Sequence, residues 1–115
     1  MTRRIAVLAI LAALAGPAAA HHGWGSYEAA KPVTVTGPIL TSKYENPHVT
    51  ITIRGSDKVW TATLAPTPRM TARGALAQLV AVGKTVTVFG YPSTVEKDEL
   101  RAERITVDGK TYELR

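Results

Sequence analysis

The sequence has no cysteine, and this absence limits both its chemistry and its means of stabilisation. Without thiols there is no disulfide framework and no thiolate ligand for a metal ion, so a hydrophobic core must hold the chain together. Aromatic residues are few, with two Trp, four Tyr and one Phe, and only three histidines are present. The sequence also has no nucleophile elbow, phosphate loop or Cys/His pair, so we expect no catalytic residues and no enzyme.

Long apolar runs are absent everywhere except at the N-terminus. Two arginines at positions 3–4 precede eleven apolar residues at 5–15, and a Gly-Pro pair and three alanines fill 16–20. This order predicts a bacterial signal peptide at 1–20, cleaved after Ala20, and hence a periplasmic or secreted protein. A retained anchor is the alternative, but eleven helical residues cover only about half of a roughly 30 Å hydrocarbon core. We expect no membrane span in the mature chain.

The excess of basic over acidic residues is small once the leader is set aside. The whole chain has 14 Lys plus Arg against 9 Asp plus Glu, a formal +5, and is 45% hydrophobic. Residues 21–115 keep twelve basic and nine acidic residues, a formal +3. The basic residues are interspersed with acids, so we expect no nucleic-acid partner. The remaining length suits one small domain with one core.

Hydrophobic periodicity divides this domain into an irregular arm at 21–32 and a barrel at 33–115. The arm is rich in glycine and has no apolar period, whereas alternation of period two begins at Val33. The alternating or apolar segments predict six strands, near residues 33–40, 49–54, 59–64, 85–89, 100–107 and 110–114. We therefore expect a mainly β fold, a small OB-like Greek-key β-barrel with one short helical segment between the third and fourth strands.

Glycine and proline mark the expected boundaries. Gly37-Pro38 inside the first strand predicts a bulge or a sharp bend. Thr67 is expected as the N-cap of the helical segment, with Pro68 at its first helical position. The triplet at 90–92, Gly-Tyr-Pro, is expected to end the fourth strand, and Asp108-Gly109 predicts a two-residue hairpin.

The histidines suggest a metal site, because cleavage after Ala20 would make His21 the N-terminal residue. A free α-amine and the His21 ring can chelate one ion, and a second imidazole completes a three-nitrogen set that suits Cu(II). His48 or His22 would supply that imidazole, or the amine, the His22 backbone nitrogen and a ring would form the chelate. We therefore expect copper or another divalent metal as the ligand.

His48 follows Glu45-Asn46-Pro47 at the turn before the most regular strand. Pro47 restricts Asn46 to extended backbone angles and would aim His48 reproducibly. The structural alternative is that His48 only starts a strand and donates to a backbone carbonyl or to Glu45.

Four aromatic residues form a second candidate site: Trp24, Tyr27, Tyr44 and Tyr91. Their rings would bind an envelope protein, a peptide or a glycan on a barrel face, without a metal. The structural alternative places Trp24 and Tyr27 as pins that hold the arm across the barrel end. The acidic residues in and near the loop after the fourth predicted strand are interpreted as a solvated loop: Glu96, Asp98, Glu99 and Glu103.

Several segments resemble a family of small exported bacterial proteins whose domain has no known function. The resemblance rests on five segments, at 21–24 (His-His-Gly-Trp), 45–48 (Glu-Asn-Pro-His), 64–70, 90–93 (Gly-Tyr-Pro-Ser) and 101–105 (Arg-Ala-Glu-Arg-Ile). It implies an exported single domain with an OB-like fold and brings no activity or substrate with it. The sequence thus favours an exported, non-enzymatic binding module; a copper-dependent oxidising enzyme on the same site is a further alternative.

Overall fold

The alternating apolar positions form six strands in the computed structural model, which describes residues 23–115. The strands are β1 (Val33–Lys43), β2 (Thr50–Arg54), β3 (Val59–Thr63), β4 (Thr85–Pro92), β5 (Glu99–Val107) and β6 (Lys110–Glu113). A short helix, α1 (Thr67–Ala72), lies between β3 and β4. This order of elements is the predicted one.

Pairing of the strands closes the sheet. The strands lie in the order β3-β2-β1-β4-β5-β6, with every neighbouring pair antiparallel. In addition β3 pairs with β5 in parallel, so the first five strands form a closed barrel and β6 lies outside it. The predicted small OB-like barrel is confirmed.

One face of each strand supplies the core. On β2, Ile51 and Ile53 are fully buried and Thr52 between them is only half-buried. On β3, Trp60 and Ala62 point inward in the same way. The two strands thus contribute the apolar faces that their alternation predicts, and the Trp60 ring belongs to the core.

The bend predicted in β1 is the point at which this strand changes partners. β1 pairs with β4 as far as Pro38 and with β2 from Ile39 onward. A Cβ atom at Gly37 would collide with the backbone carbonyl of Arg54. Glycine therefore allows β1 to come against the end of β2, and one long strand serves two neighbours of the barrel.

The predicted end of β4 is wrong. The strand continues through Gly90 to Pro92, and its register with β5 shifts between Phe89 and Gly90. A Cβ atom at Gly90 would meet the backbone of Arg101. Here glycine permits a close approach of two strands inside the ladder, and it does not act as a terminator.

The helix begins one residue away from its expected position. Pro66 occupies the N-cap position of α1, and Thr67 is the first helical residue. Gly74, with φ +83°, separates α1 from a 3-10 turn at Ala77–Val80. No helix of residues 23–115 is long and apolar enough to cross a membrane.

The last hairpin follows its sequence signal closely. Asp108 and Gly109 have φ values of 52° and 77°, and they join Val107 directly to Lys110. Positive φ at both central positions defines the turn whose twist suits a two-residue hairpin.

The described part of the arm, residues 23–32, is tied to the connection between β4 and β5. The Glu28 amide donates to the Pro92 carbonyl at 2.9 Å, and the Thr94 amide donates to the Ser26 carbonyl at 2.9 Å. Tyr27 forms a β-bridge with Ser93. The arm therefore has a defined place on the barrel surface before β1 begins.

We expect the close approach at Gly37 to make this position intolerant of a side chain. Gly37→Ala should lower the free energy of unfolding by about 1–3 kcal/mol, since the colliding atoms belong to the backbone and cannot rotate away. The midpoint of urea unfolding measures the loss. Gly25→Ala is the matched control, because no atom lies within 4 Å of its added Cβ; equal midpoints for the two variants would contradict the expectation.

Candidate ligand-binding groove

A groove of about 420 Å³ opens between the β1–β2 loop, the start of β5 and the arm. In OB-type barrels the β1–β2 and β4–β5 loops, with the neighbouring strands, are the usual location of ligand sites. The groove is lined by ten residues, Tyr27, Lys43, Glu45, Asn46, Pro47, His48, Thr50, Thr63, Glu99 and Arg101. It combines the arm, the Glu-Asn-Pro-His segment and the head of β5 in one place.

The β1–β2 loop forms one wall of the groove. Its Asn46–Pro47 peptide bond is cis. The Asn46 Oδ1 atom accepts hydrogen bonds from the amide and from the hydroxyl of Thr67, both at 3.0 Å. Asn46 therefore caps α1 from outside the helix. Pro66 occupies the N-cap position, but its side chain has no hydrogen-bond acceptor and cannot cap the helix itself. This contact fixes the loop that carries His48, which is half-buried in the groove wall.

The base of the groove contains a carboxylate that accepts two hydroxyl groups. Glu99 Oε2 accepts a hydrogen bond from the Tyr27 hydroxyl at 3.0 Å and one from Thr63 Oγ1 at 2.6 Å. The parallel pairing of β3 with β5 places Thr63 opposite Arg101 and brings these groups together. Because both donors are neutral, the negative charge of Glu99 stays in the groove.

Tyr27 is held in its protonated form. Burial raises its pKa to about 12, and the neighbouring Glu99 carboxylate adds to the rise, while Arg101 acts in the opposite direction. The Tyr27 hydroxyl therefore remains a donor to Glu99 over the whole physiological range of pH.

Arg101 is the buried cation of the groove, with only 6% of the residue exposed. Its guanidinium carbon lies 4.6 Å from the centre of the Trp24 ring, and that of Arg115 lies 4.5 Å from the same ring. Burial lowers the Arg101 pKa, and interaction with Tyr27 partly offsets the effect. The arm thus covers the guanidinium with an aromatic ring and a hydroxyl group.

Three of the four predicted aromatic residues lie together. Trp24 packs edge-on against Tyr27 at 6.3 Å and against Tyr91 at 6.0 Å between ring centres. Tyr44 does not line the groove; it packs against the core, and its hydroxyl donates to the Ala75 carbonyl at 2.7 Å. The structure therefore divides the predicted set into an arm cluster, formed by Trp24, Tyr27 and Tyr91, and one ring beside the helical segment.

The predicted metal ligands are divided as well. His48 lies in the groove, whereas His21 and His22, like the whole predicted leader, lie outside the described residues. Within residues 23–115, no three residues of the types His, Asp or Glu are close enough together to hold a metal ion. A complete ligand set would need donors from the segment before Gly23.

Sequence reasoning missed Glu99 and Arg101 as site residues. Interpreting the nearby acids as a solvated loop is wrong for Glu99, which accepts two hydroxyls, and for Glu103, which pairs with Arg104 and Arg115. The spacing of Glu99 and Arg101, two apart at the head of a strand, is the one local signal that places them on a common face. The arm that covers them is visible only in the folded chain.

Comparison with known proteins identifies a family and a fold. The sequence model of a family of unknown function (DUF6152) matches residues 8–100. No curated protein matches the chain.

Similar solved structures are those of TiaS, a tRNA agmatidine synthetase. Its complex with tRNA and ATP has a TM-score of 0.53 at 20% identity, over 77% of this chain and 20% of that chain. Apo TiaS gives 0.51 at 22% identity, over 70% and 18% of the two chains. The ZRD-deleted mutant of TiaS with agmatine gives 0.52 at 23%, over 76% and 25%. The chain thus spans a quarter or less of TiaS, and at these identities the likeness concerns the barrel fold alone.

We expect Asn46 to act through the helix it caps. Asn46→Ala should lower the free energy of unfolding by about 1 kcal/mol, because the Thr67 amide loses its acceptor. Asn46→Asp is the control, since it keeps an oxygen acceptor and places negative charge at the helix start. Urea unfolding compares the two variants; an equal loss in both would contradict the capping role.

We also expect the Tyr27 hydroxyl to ionise at a higher pH than an ordinary tyrosine, and its ionisation to weaken the attachment of the arm. Its pKa is raised from 10.0 to about 12 in the folded chain, so the stabilisation is complete below the unfolded pKa and is lost as pH rises through the folded value. Tyrosinate absorbance, as a difference between the protein and Tyr27→Phe, isolates this ring. A midpoint near 10 in the difference signal would show that the hydroxyl is not buried against Glu99.

Proposed function

The chain belongs to the family of unknown function DUF6152, and we propose that it is an exported, non-enzymatic binding module whose ligand site is the groove. The ligand proposed is a divalent metal ion, copper first, bound by His48 together with the N-terminal His21. Export follows from the leader at residues 1–20, and cleavage after Ala20 supplies the free amine that the site needs.

The position of His48 carries this proposal. His48 and the arm residue Tyr27 line the same groove, and Trp24 contacts Arg101, which also lines it. His22 and His21 directly precede Gly23, and consecutive Cα atoms are about 3.8 Å apart, so two residues extend at most about 7 Å from Gly23. The described part of the arm thus contacts the groove that contains His48, which supports the proposal that His21 and His48 bind one ion.

The chemistry of the donors favours copper. The site would provide three nitrogens, from an α-amine, the ring of the same residue and a second imidazole. This ligand set binds Cu(II) more strongly than it binds harder divalent ions. The amine and both rings must be deprotonated to bind, so affinity rises with pH through the range in which these groups titrate. His22 is the alternative source of the second imidazole or of a backbone nitrogen.

An aromatic partner site is the second candidate, and the contact of Trp24 with Tyr27 and Tyr91 favours it. In that case the arm cluster would bind an envelope protein, a peptide or a glycan without a metal. It receives less support, because Tyr44 lies elsewhere and Trp24 already contacts the guanidinium groups of Arg101 and Arg115. Part of the Trp24 ring is thus occupied by contacts within the chain itself.

We expect the protein that begins at His21 to bind Cu(II) at least about tenfold more tightly than a version with a flexible Gly-Ser extension before His21. The extension moves the amine away while leaving every side chain in place, and each lost ligand removes a sizeable share of the binding free energy. Competition titration measures the affinity, and electron paramagnetic resonance reports the number of nitrogen ligands.

His48→Gln tests the described ligand directly. It should lower the affinity of the His21-first protein and remove one nitrogen from the resonance spectrum. Equal affinities with and without the extension would overturn the terminal-amine site, and an unchanged affinity in His48→Gln would overturn the role of His48. Urea unfolding of each version verifies that the barrel is intact.

A further inference from the structure

Arg101 is a buried cation without an ion pair among the described residues. It is 6% exposed and forms no ion pair with any residue in the range 23–115, whereas Arg104 pairs with Glu103 and Glu113. The groups that contact its guanidinium from the arm are neutral, the Trp24 ring and the Tyr27 hydroxyl. A guanidinium taken out of water without a carboxylate partner keeps a strong preference for an anion.

Other arginines surround this cation. Arg69 on α1 is close enough to disfavour the charge of Arg101, and Arg115 contacts the same Trp24 ring. Arg73 donates to a main-chain oxygen of Arg115 at 3.3 Å. We call Arg69, Arg73, Arg101 and Arg115 the arginine patch.

Acidic groups neutralise only part of the arginine patch. Glu103 pairs with Arg115 at 3.3 Å, while Arg69 and Arg73 have no ion pair with an acidic side chain of residues 23–115. Arg69 and Arg73 both line a broad depression of about 640 Å³ along α1. The patch therefore carries an excess of positive charge that extends from this depression to Arg101 in the groove.

The acids of the groove offset only part of this excess. Glu99 acts on Arg101 through its charge but forms no ion pair with it, and its Oε2 atom accepts hydrogen bonds from Tyr27 and Thr63 instead. At the rim, Lys43 and Glu45 are both exposed and have opposite charges. The unbalanced charge is thus on the side of the groove where the arginine patch begins.

We propose that the groove binds an oxyanion, a carboxylate or a phosphate group, with Arg101 as its anchor and Arg69 as a second source of attraction. This inference rests on the proposed function in one respect only, that the groove is the ligand site; it does not require the metal. The planar guanidinium offers parallel N–H donors that match two oxygens of one oxyanion.

Two features of the fold strengthen such binding. The arm has already excluded most water from Arg101, so a ligand does not have to desolvate the cation itself. Charge interactions at this depth are screened less than those at the surface, so an anion near Arg101 gains more than one near an exposed arginine. Arg101 stays protonated despite its lowered pKa, because guanidinium groups remain charged in proteins.

The test is a titration of the full exported chain with two probes, inorganic phosphate and acetate, at ionic strength held constant with chloride. The side-chain Nε–Hε signals of labelled arginine are followed by nuclear magnetic resonance, and Arg101→Lys identifies the Arg101 signal by its loss. We expect a saturable shift of that signal with at least one probe. A response to phosphate alone, to acetate alone or to both specifies the oxyanion, and each result supports the proposal.

Three variants make the test specific. Arg101→Lys should weaken binding about tenfold or more, because the charge remains but the paired donors are lost. Arg69→Gln, at an exposed helix position, should weaken it about threefold by removing one nearby charge. Arg54→Gln makes the same change of charge at an exposed arginine outside the groove and the patch, and should leave binding within about twofold.

Two results would overturn the proposal: no saturable shift with either probe, or equal weakening by Arg69→Gln and Arg54→Gln. If Arg101→Lys unfolds the arm, the comparison of Arg69 with Arg54 still decides the question. A copper titration on the same samples separates the two proposals. Copper binding without oxyanion binding overturns this inference alone, and oxyanion binding without copper binding overturns the metal site alone.

Discussion

The parallel pairing of β3 with β5 is the interaction on which both the barrel and the groove depend. It joins strands that are far apart in the sequence and converts an open sheet into a closed barrel. The same pairing places Thr63 opposite Arg101 and allows Thr63 to donate to Glu99. The same strand pairing therefore closes the barrel and forms the base of the groove. No local sequence pattern indicates this pairing.

Most of the fold can be predicted because its signals are local. Alternation along β2 and β3 determines which face is buried, and Asp108-Gly109 specifies a hairpin through its own backbone preferences. The ends of elements are less predictable. The sequence favours Gly90 as a terminator because glycine often ends strands, whereas its role depends on the Arg101 backbone, which lies across the ladder.

The candidate site is predictable only in part, for the same physical reason. His48 stands out because a histidine after Asn-Pro is a recognisable local pattern. Arg101 and Glu99 do not stand out, since charged residues near a loop usually face solvent. The arm covers Arg101 through the Trp24 ring and the Tyr27 hydroxyl, and a contact between segments so far apart in the chain leaves no periodic pattern in the sequence.

The arm consequently connects every property proposed for this protein. It contributes Tyr27 to the groove, it covers Arg101, and it leads directly into the segment that contains His21 and His22. A ligand that contacts the arm in its place on the barrel stabilises that position of the arm. The arm in that position strengthens ligand binding by the same free energy, because the two equilibria are linked. A metal bound through the N-terminus would hold the arm in place over Arg101, and an oxyanion on Arg101 would hold Trp24 and Tyr27 in place for the metal. Two ligands of opposite charge would then bind cooperatively in one groove even without touching each other.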